Sequence, residues 1–412
     1  MRVLIATAQR TLVGGVEKYL QALIPALLDR GHEIGLLYEE RQDPSTESID
    51  ASSAPVQTWC AAELGAKALD RVAEWKPEVV YSHGFYGPVC QVLESALLAS
   101  YPTVLYAHNF DPTCPTGRKY YAFPKPQCCS RKLGAMCLVL HYPRRCGGLD
   151  PSTMWRRYRR HAQLNAQLTQ YRAVLVASNY MHQEFLRNGV SPQKLHLVTL
   201  PSTDSLPADA APVRRTPGGR ILFVGRLTDL KGTDYLIRAI PLAGEKLGRP
   251  LTLTVAGDGP ERPNLERLAR RLNVPVEYAG WVRTRQKLDL MRQADLLAVP
   301  SLWPEPFGLV GIEAGALGLP AVAYAVGGIP DWLIVGESGE LAPSDPPTPA
   351  GLADAMIRAL ADPTHHARLC LGAWKIARRF NMKNHIARLE PILSAAATGS
   401  GLTAELTFPV LG

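Results

Sequence analysis

No run of about 18 consecutive apolar residues occurs anywhere in the 412-residue chain, so no segment is built to cross a membrane as a helix. The opening Met1-Arg2-Val3-Leu4-Ile5-Ala6-Thr7 holds too short an apolar stretch for a secretory leader and reads as a buried strand. The compartment expected on that basis is the cytoplasm, with peripheral contact at a membrane left open. Cysteine pairs of the Cys-x2-Cys type are missing, which removes the strongest zinc-binding and redox signatures. Acids are nearly missing from one stretch: between Cys114 and Arg172 twelve Lys and Arg residues stand against one acid, Asp150. Zinc-finger, helix-turn-helix and RNA-stacking motifs do not accompany that basic stretch, which argues against nucleic acid as its partner.

What is present fits a folded chain with material for two cores: 46% hydrophobic and 20% charged residues, with a mean hydropathy of −0.05. The net charge of +8 is concentrated in the basic stretch. Such a patch suits an anionic partner, whether lipid head groups, a phosphorylated acceptor or nucleic acid. A solvated surface is the plain alternative.

Short apolar segments alternate with helical periodicity along most of the chain. Strands are predicted over 2–7, 33–38, 79–83, 103–107, 173–177 and 195–200. The pattern lapses over 201–219, a segment rich in Pro, Ala, Asp and Gly that reads as a linker. A second series follows, with strands over 220–224, 251–256, 276–279, 295–300 and 320–324. Continuous apolar strands separated by helices predict parallel sheets covered on both faces. The expected fold class is therefore α/β, with two Rossmann-like doubly wound domains facing across a cleft. Expected boundaries are 1–200 for the first domain, 201–219 for the linker, 220–379 for the second domain, and 380–412 for a helix returning to the first domain plus a tail. An irregular, basic, Cys-rich insert occupies about 109–151 of the first domain.

The strongest motif is Pro300-Ser301-Leu302-Trp303-Pro304-Glu305-Pro306-Phe307-Gly308-Leu309-Val310-Gly311-Ile312-Glu313. A strand ends at Pro300, a loop carries Glu305, and a helix is predicted from near Phe307, with Glu313 about two turns in. Backbone N–H groups and the positive end of a helix dipole then meet at one place, which suits a diphosphate. Arg226 and Lys231 follow an earlier strand end. Arg can grip two phosphate oxygens at once, while Lys acts as a point charge.

Taken with Gly-Leu-Pro-Ala-Val-Ala at 318–323 and Gly-Gly-Ile-Pro-Asp at 327–331, this motif resembles the second domain of retaining family 4 glycosyltransferases of the GT-B fold. Val224-Gly225-Arg226-Leu227-Thr228-Asp229-Leu230-Lys231-Gly232 resembles that family's diphosphate-binding segment. Ala256-Gly257-Asp258-Gly259-Pro260 and Ala279-Gly280-Trp281-Val282 resemble two stations near the nucleotide base. Gly14-Gly15-Val16-Glu17 and Tyr106-Ala107-His108-Asn109 extend the likeness into the first half.

The resemblance implies a transferase, a hexosyltransferase by preference, that moves a sugar from a nucleotide-diphosphate donor to an acceptor hydroxyl. Polysaccharide or glycoconjugate biosynthesis is the implied setting, and the acceptor stays open between a glycan, a lipid-linked molecule and a small molecule. Retention by front-face substitution is implied, without a metal or other cofactor for catalysis. His108, Arg226, Lys231 and Glu305 become the catalytic candidates. Donor contacts are expected from Gly14, Gly15, Gly225, Arg226, Lys231, Gly257, Trp281, Val282, Glu305, Phe307, Gly308, Leu309, Val310 and Glu313, with Glu313 on the ribose. His83 ends the strand beside that of His108 and is a weaker candidate on the acceptor side. Asp331 stands where the family often has Glu and receives no role.

Five cysteines, Cys114, Cys128, Cys129, Cys137 and Cys146, fall within the insert. A structural zinc site, disulfides and buried thiols all remain open for them. The segment Met154-Trp155-Arg156-Arg157-Tyr158-Arg159-Arg160 sets aromatics beside arginines, a pattern suited to an anionic membrane surface, to nucleic acid, or to a core stripe with a solvated rim. The competing functions are a catalytically inactive nucleotide-sugar-binding protein, a nucleic-acid-binding protein using the basic insert, and a sugar epimerase of the same fold.

Overall fold

The computed structural model describes residues 1–12, 14–40, 47–49, 56–65, 67–84, 88–202 and 217–400. Contacts divide the chain into two compact units. One gathers Met1–Pro115, Arg159–Thr203 and Asn381–Gly412; the other gathers Thr116–Tyr158 and Asp204–Phe380.

The first unit is built on β1 (Arg2–Thr7), β2 (Glu33–Tyr38), β3 (Val56–Cys60), β4 (Val79–Ser82) and β5 (Thr103–Ala107). A short antiparallel hairpin, β6 (Tyr120–Tyr121) and β7 (Gln127–Cys128), interrupts the series and belongs to the second unit. Then come β8 (Ala173–Val176) and β9 (Leu195–Leu197). Among the described residues the sheet runs β3-β2-β1-β4-β5-β8-β9, parallel throughout. Val3, Leu4, Ile5 and Ala6 of β1 are fully buried, as a strand covered by helices on both faces must be.

The second sheet comprises β10 (Arg220–Val224), β11 (Thr252–Ala256), β12 (Val276–Gly280), β13 (Leu296–Val299), β14 (Ala321–Tyr324) and β15 (Gly339–Ala342). Its order is β12-β11-β10-β13-β14-β15, again parallel. In both sheets the chain starts in the middle and reverses direction: between β1 and β4 in one, and between β10 and β13 in the other. Loops leaving the carboxyl ends of strands diverge at such a switch point and leave a crevice for a ligand.

Two edge strands went unread in the sequence. β3 exposes Gln57 and Thr58, and β15 carries Glu340, buried against Arg358 at 2.9 Å and His365 at 3.0 Å. Neither shows the apolar run that marks the central strands. The irregular segment expected over 109–151 contains a 3₁₀ turn (Asp111–Thr113), the β6–β7 hairpin and a short helix (Met136–Leu140). Residues 116–158, which the sequence reading attaches to the first domain, cluster with the second unit. Arg118 reaches Asp229 at 3.4 Å, Gln127 Nε2 donates to Asp345 at 3.0 Å, and Cys128 Sγ lies 4.0 Å from the carbonyl of Leu302.

Of the expected linker over 201–219, residues 203–216 lie outside the described residues. The helix Met382–Thr398 packs in the first unit, where Glu390 pairs with Arg30 at 2.6 Å. Among the described residues no helix is long and apolar enough to cross a membrane. Phe123, Met136, Val139, Leu149 and Trp155 of the basic stretch are all exposed.

Candidate functional site

The second unit sets its candidate residues on the loops of four neighbouring strands. In sheet order, Trp281 and Val282 follow β12, and Gly257 follows β11. Gly225, Arg226 and Lys231 follow β10, and Glu305 follows β13. The loops after β11, β10 and β13, with that after β14, pack backbone against backbone. Leu227 N–H donates to the carbonyl of Asp258 at 2.9 Å, Leu302 N–H to Leu230 at 2.8 Å, and Gly328 N–H to Glu305 at 2.7 Å. Gly232 has φ +62°, and a Cβ there would lie 2.0 Å from the carbonyl oxygen of Pro300. Only glycine meets both conditions, and its backbone brings Lys231 against the Glu305 loop.

Glu305 is 6% exposed and is the hub of this arrangement. Its Oε1 accepts from Lys231 Nζ at 2.6 Å, Ser301 Oγ at 2.5 Å and Trp303 Nε1 at 3.1 Å. The Lys231 ammonium also lies 5.8 Å from the centre of the Trp303 ring, within cation–π range. Burial favours the neutral acid, but the charge of Lys231 and the three hydrogen bonds outweigh it, and the Glu305 carboxyl is held below its ordinary range. The anion is thus fixed in place. Among the described residues no hydrogen bond is made to its other oxygen, Oε2, which stays available as an acceptor.

The helix after this loop begins at Leu309, two residues later than the sequence implied, because Gly308 takes φ +89° and stands outside it. Glu313 is the fifth residue of Leu309–Ala316, about one turn in and not two. Its Oε2 pairs with Lys287 Nζ at 2.8 Å, with both side chains about nine-tenths buried. Lys287 lies on the helix Thr284–Gln293 and was not singled out in the sequence, where a Lys among Arg and Gln gives no signal of burial. Trp332 was missed as well. Its indole N–H donates to the carbonyl of Phe307 at 2.7 Å, and its ring fills the space beside Gly311, where a Cβ would lie 1.9 Å from it. The indole props the start of the helix, with Leu309 and Val310 in its first turn. Arg226 and Trp281 are exposed.

In the first unit Gly14 caps the helix Gly15–Leu28. Its N–H donates to Glu17 Oε2 at 2.8 Å, and Gln9 donates to the other carboxylate oxygen at 3.2 Å. Glu17 is thereby a capping residue. Gly14 has φ −135°, which any residue can adopt, so the backbone itself does not demand glycine here.

His83 follows β4 and His108 follows β5. Their rings stack with centroids 5.0 Å apart, and His83 Nδ1 lies 2.7 Å from His108 Nε2. Tyr19, Tyr81, Tyr106 and His385 complete an aromatic cluster around them. Tyr19 Oη lies 3.0 Å from Tyr81 Oη and 2.7 Å from His385 Nε2, while His385 Nδ1 meets the carbonyl of Thr199 at 2.8 Å. Burial, reinforced by the neighbouring His385, lowers the pKa of His108 to about 3. Burial, with His108 and His385 nearby, also takes His83 well below its ordinary value. Both rings are neutral near pH 7.

The five insert cysteines are not gathered into one site. Among the described residues no group of three or more His, Cys, Asp or Glu is placed to hold a metal ion. Burial, then Cys129 and Asp345, pushes the Cys128 thiol up to about 12. Cys60 and Cys370 are buried, and the side chain of Cys90 lies outside the described residues.

Comparison with known proteins divides the chain between residues 200 and 209. Residues 13–200 match the Glycosyltransferase Family 4 model, and residues 209–371 match Glycosyl transferases group 1. An uncharacterized glycosyltransferase of Methanocaldococcus jannaschii is 44% identical over 111 residues, which is 26% of this chain and 28% of that relative. Glycogen synthase of Mycobacterium tuberculosis is 26% identical across 88% of this chain and 87% of its own length. Among solved structures, Anabaena HepE in complex with UDP-glucose superposes with a TM-score of 0.68 at 20% identity, covering 96% of this chain and all of that one. That likeness shows the two-domain α/β fold of the GT-B type. With both halves matched in order, and with the loop row described above, the chain belongs to the family 4-like glycosyltransferases.

Proposed function

We propose that the chain transfers a sugar from a nucleoside-diphosphate sugar to an acceptor hydroxyl with retention of configuration and without a catalytic metal. The observation that carries this reading is the Lys231–Glu305 pair, at 2.6 Å, held where two loops meet at the β10–β13 switch point beside a helix start. Cleaving a sugar–phosphate bond leaves negative charge on the departing diphosphate, and charges placed beforehand stabilise it best. Arg226 and the Lys231 ammonium supply that charge. Lys231 has three N–H donors and gives one to Glu305, so it can bridge the carboxylate and a phosphate oxygen. The first helical turn at Leu309 and Val310 adds backbone N–H groups to the same anion.

Glu305 accepts hydroxyls of the donor sugar through Oε2. Glu313, clamped on one oxygen by Lys287, takes the ribose. Gly257, Trp281 and Val282 flank the base. In front-face substitution the diphosphate oxygen itself receives the acceptor's proton, so His108 acts by hydrogen bonding and not as a general base. Lys231, fixed by Glu305, and Arg226 on the same loop supply the charge that a metal would otherwise bring to the leaving group.

A thermal-shift screen against uridine-, guanosine- and adenosine-diphosphate sugars tests the donor class, because a ligand of the native state raises Tm. The HepE structure holds UDP-glucose, so uridine diphosphate sugars come first. A clear shift with one family, followed by slow donor hydrolysis without acceptor, is the expected result. A shift without any turnover across acceptors would instead favour an inactive nucleotide-sugar-binding protein.

A further inference from the structure

We propose that His83 is a positioning residue that locks His108 in the Nδ1–H tautomer and so presents a hydrogen-bond donor at the end of β5. The two rings share one hydrogen bond, His83 Nδ1 to His108 Nε2 at 2.7 Å. His83 is buried, His108 is half-buried, and both rings are neutral near pH 7, so each carries one proton, and only one of the two facing nitrogens can hold it.

The rest of the His83 ring decides which one. His83 is 2% exposed, and among the described residues its Nε2 has no hydrogen-bond partner. If His108 donated, His83 would carry its proton on that partnerless Nε2, and a buried N–H would be orphaned. A buried donor without a partner is the rarer and costlier arrangement; an unused lone pair is tolerated more readily. His83 therefore holds its proton on Nδ1 and donates, and His108 accepts at Nε2. The single proton of His108 is then confined to Nδ1, the nitrogen turned away from His83.

Packing keeps the pair in register. The His83 ring sits 4.4 Å from Tyr81 and stacks on Tyr106 at 6.1 Å, while His108 lies 4.7 Å from Tyr106. Tyr106 is itself pinned, its hydroxyl donating to the carbonyl of Val198 at 2.6 Å. Turning either imidazole over would give up the hydrogen bond the two rings share. A donor at His108 Nδ1 matches an oxygen lone pair of a sugar hydroxyl. It also excludes general-base action from that nitrogen. This last step rests on the proposed transferase reading; the tautomer assignment does not.

The test is ¹⁵N-resolved NMR of the full chain labelled at histidine, near pH 7.5, with ring signals assigned through their loss in single His variants. The expected result is His108 protonated at Nδ1 and His83 protonated at Nδ1. A spectrum with His108 protonated at Nε2 overturns the proposal, and this reading needs no substitution to fold and no activity.

Two variants then link tautomer to rate. His83→Phe keeps the stack and removes the donor. His108 should shift to the Nε2–H form, and kcat should fall by about tenfold with the donor KM unchanged within about twofold. His83→Asn, whose amide N–H can donate in the same direction, should restore the Nδ1–H form and recover most of the lost rate. Equal tautomers in both variants would contradict the lock. The expected spectra in a protein inactive toward every nucleotide sugar would leave the lock standing and remove the transferase reading.

Discussion

Glu305 and Glu313 are two carboxylates on one loop-helix segment, each joined to a lysine, yet their surroundings differ. Glu305 has a partly exposed lysine that a phosphate can share, with side-chain exposures of 29% for Lys231 and 8% for Glu305. Glu313 has a lysine as buried as itself. The two pairs should therefore fail differently. Lys231→Ala is expected to lower kcat by about 10² to 10³, the range seen when one group serving developing charge is removed, with a small change in nucleotide affinity. Glu313→Ala is expected to weaken nucleoside-diphosphate binding by about tenfold or more, at least the worth of one hydrogen bond from a ribose hydroxyl to a charged group. It also breaks the buried pair with Lys287 and should cost about 3 kcal/mol of stability. Calorimetric titration with the nucleotide, single-turnover rates and denaturant melts on both variants separate these effects. Affinity and rate moving together in both would remove the division of labour.

The strand-end loops after β11, β10, β13 and β14 stand or fall together, because they touch through backbone atoms. Gly327 has φ +57°, and a Cβ there would sit 2.2 Å from the carbonyl oxygen of Glu305. Gly336 has φ +74° with nothing within 4 Å of that position. Both substitutions to Ala incur left-handed strain of about 1 kcal/mol, and Gly327→Ala must also push the Glu305 loop aside. The expectation is a loss near 1 kcal/mol with normal donor binding for Gly336→Ala. For Gly327→Ala a loss of about 3 kcal/mol or more and severely weakened donor binding are expected. Equal melting temperatures for the two would mean that the loops do not brace one another.

The same elements mark what the sequence could reveal. The central strands were readable because parallel strands buried on both faces must be apolar along their length. β3 and β15 were not, since edge position and a buried ion pair let polar residues in. The glycine-rich turns announced themselves by composition and strand-end spacing. Lys287 against Glu313, Trp332 under Gly311 and His83 against His108 did not, because each is a side-chain contact between elements distant in sequence. Nothing in local periodicity records such pairings. The attachment of residues 116–158 to the second unit was hidden for the same reason: its anchors, Arg118 to Asp229 and Gln127 to Asp345, join residues more than a hundred positions apart.

At the scale of the whole molecule, buried bases and buried acids bear on acid stability with the same sign but in different pH ranges. His83, His108 and His385 have pKa values lowered by burial, His108 to about 3 and His385 to about 4. On unfolding they regain the ordinary value of 6.5. Below that value the unfolded chain binds protons that the folded chain refuses, so stability is full above about pH 6.5 and is lost as the pH falls toward 4 and 3. His182, His196 and His366 are lowered too and add to the effect. Glu305 and Asp295 are held below the usual carboxylate range, against burial, by Lys231 and Arg220. Their contribution is lost only as the pH falls below about 4. Between pH 6.5 and 5 the loss therefore belongs to the histidines, at about 1.4 kcal/mol per pH unit for each proton taken up on unfolding. Calorimetric melts across this window should show Tm falling steadily with pH. His385→Asn, which removes one refused proton, should flatten the slope by close to one proton whatever it does to absolute stability. A Tm independent of pH from 7 to 5 would mean that the aromatic cluster of the first unit takes up protons while folded, and that its histidines are not sealed from water.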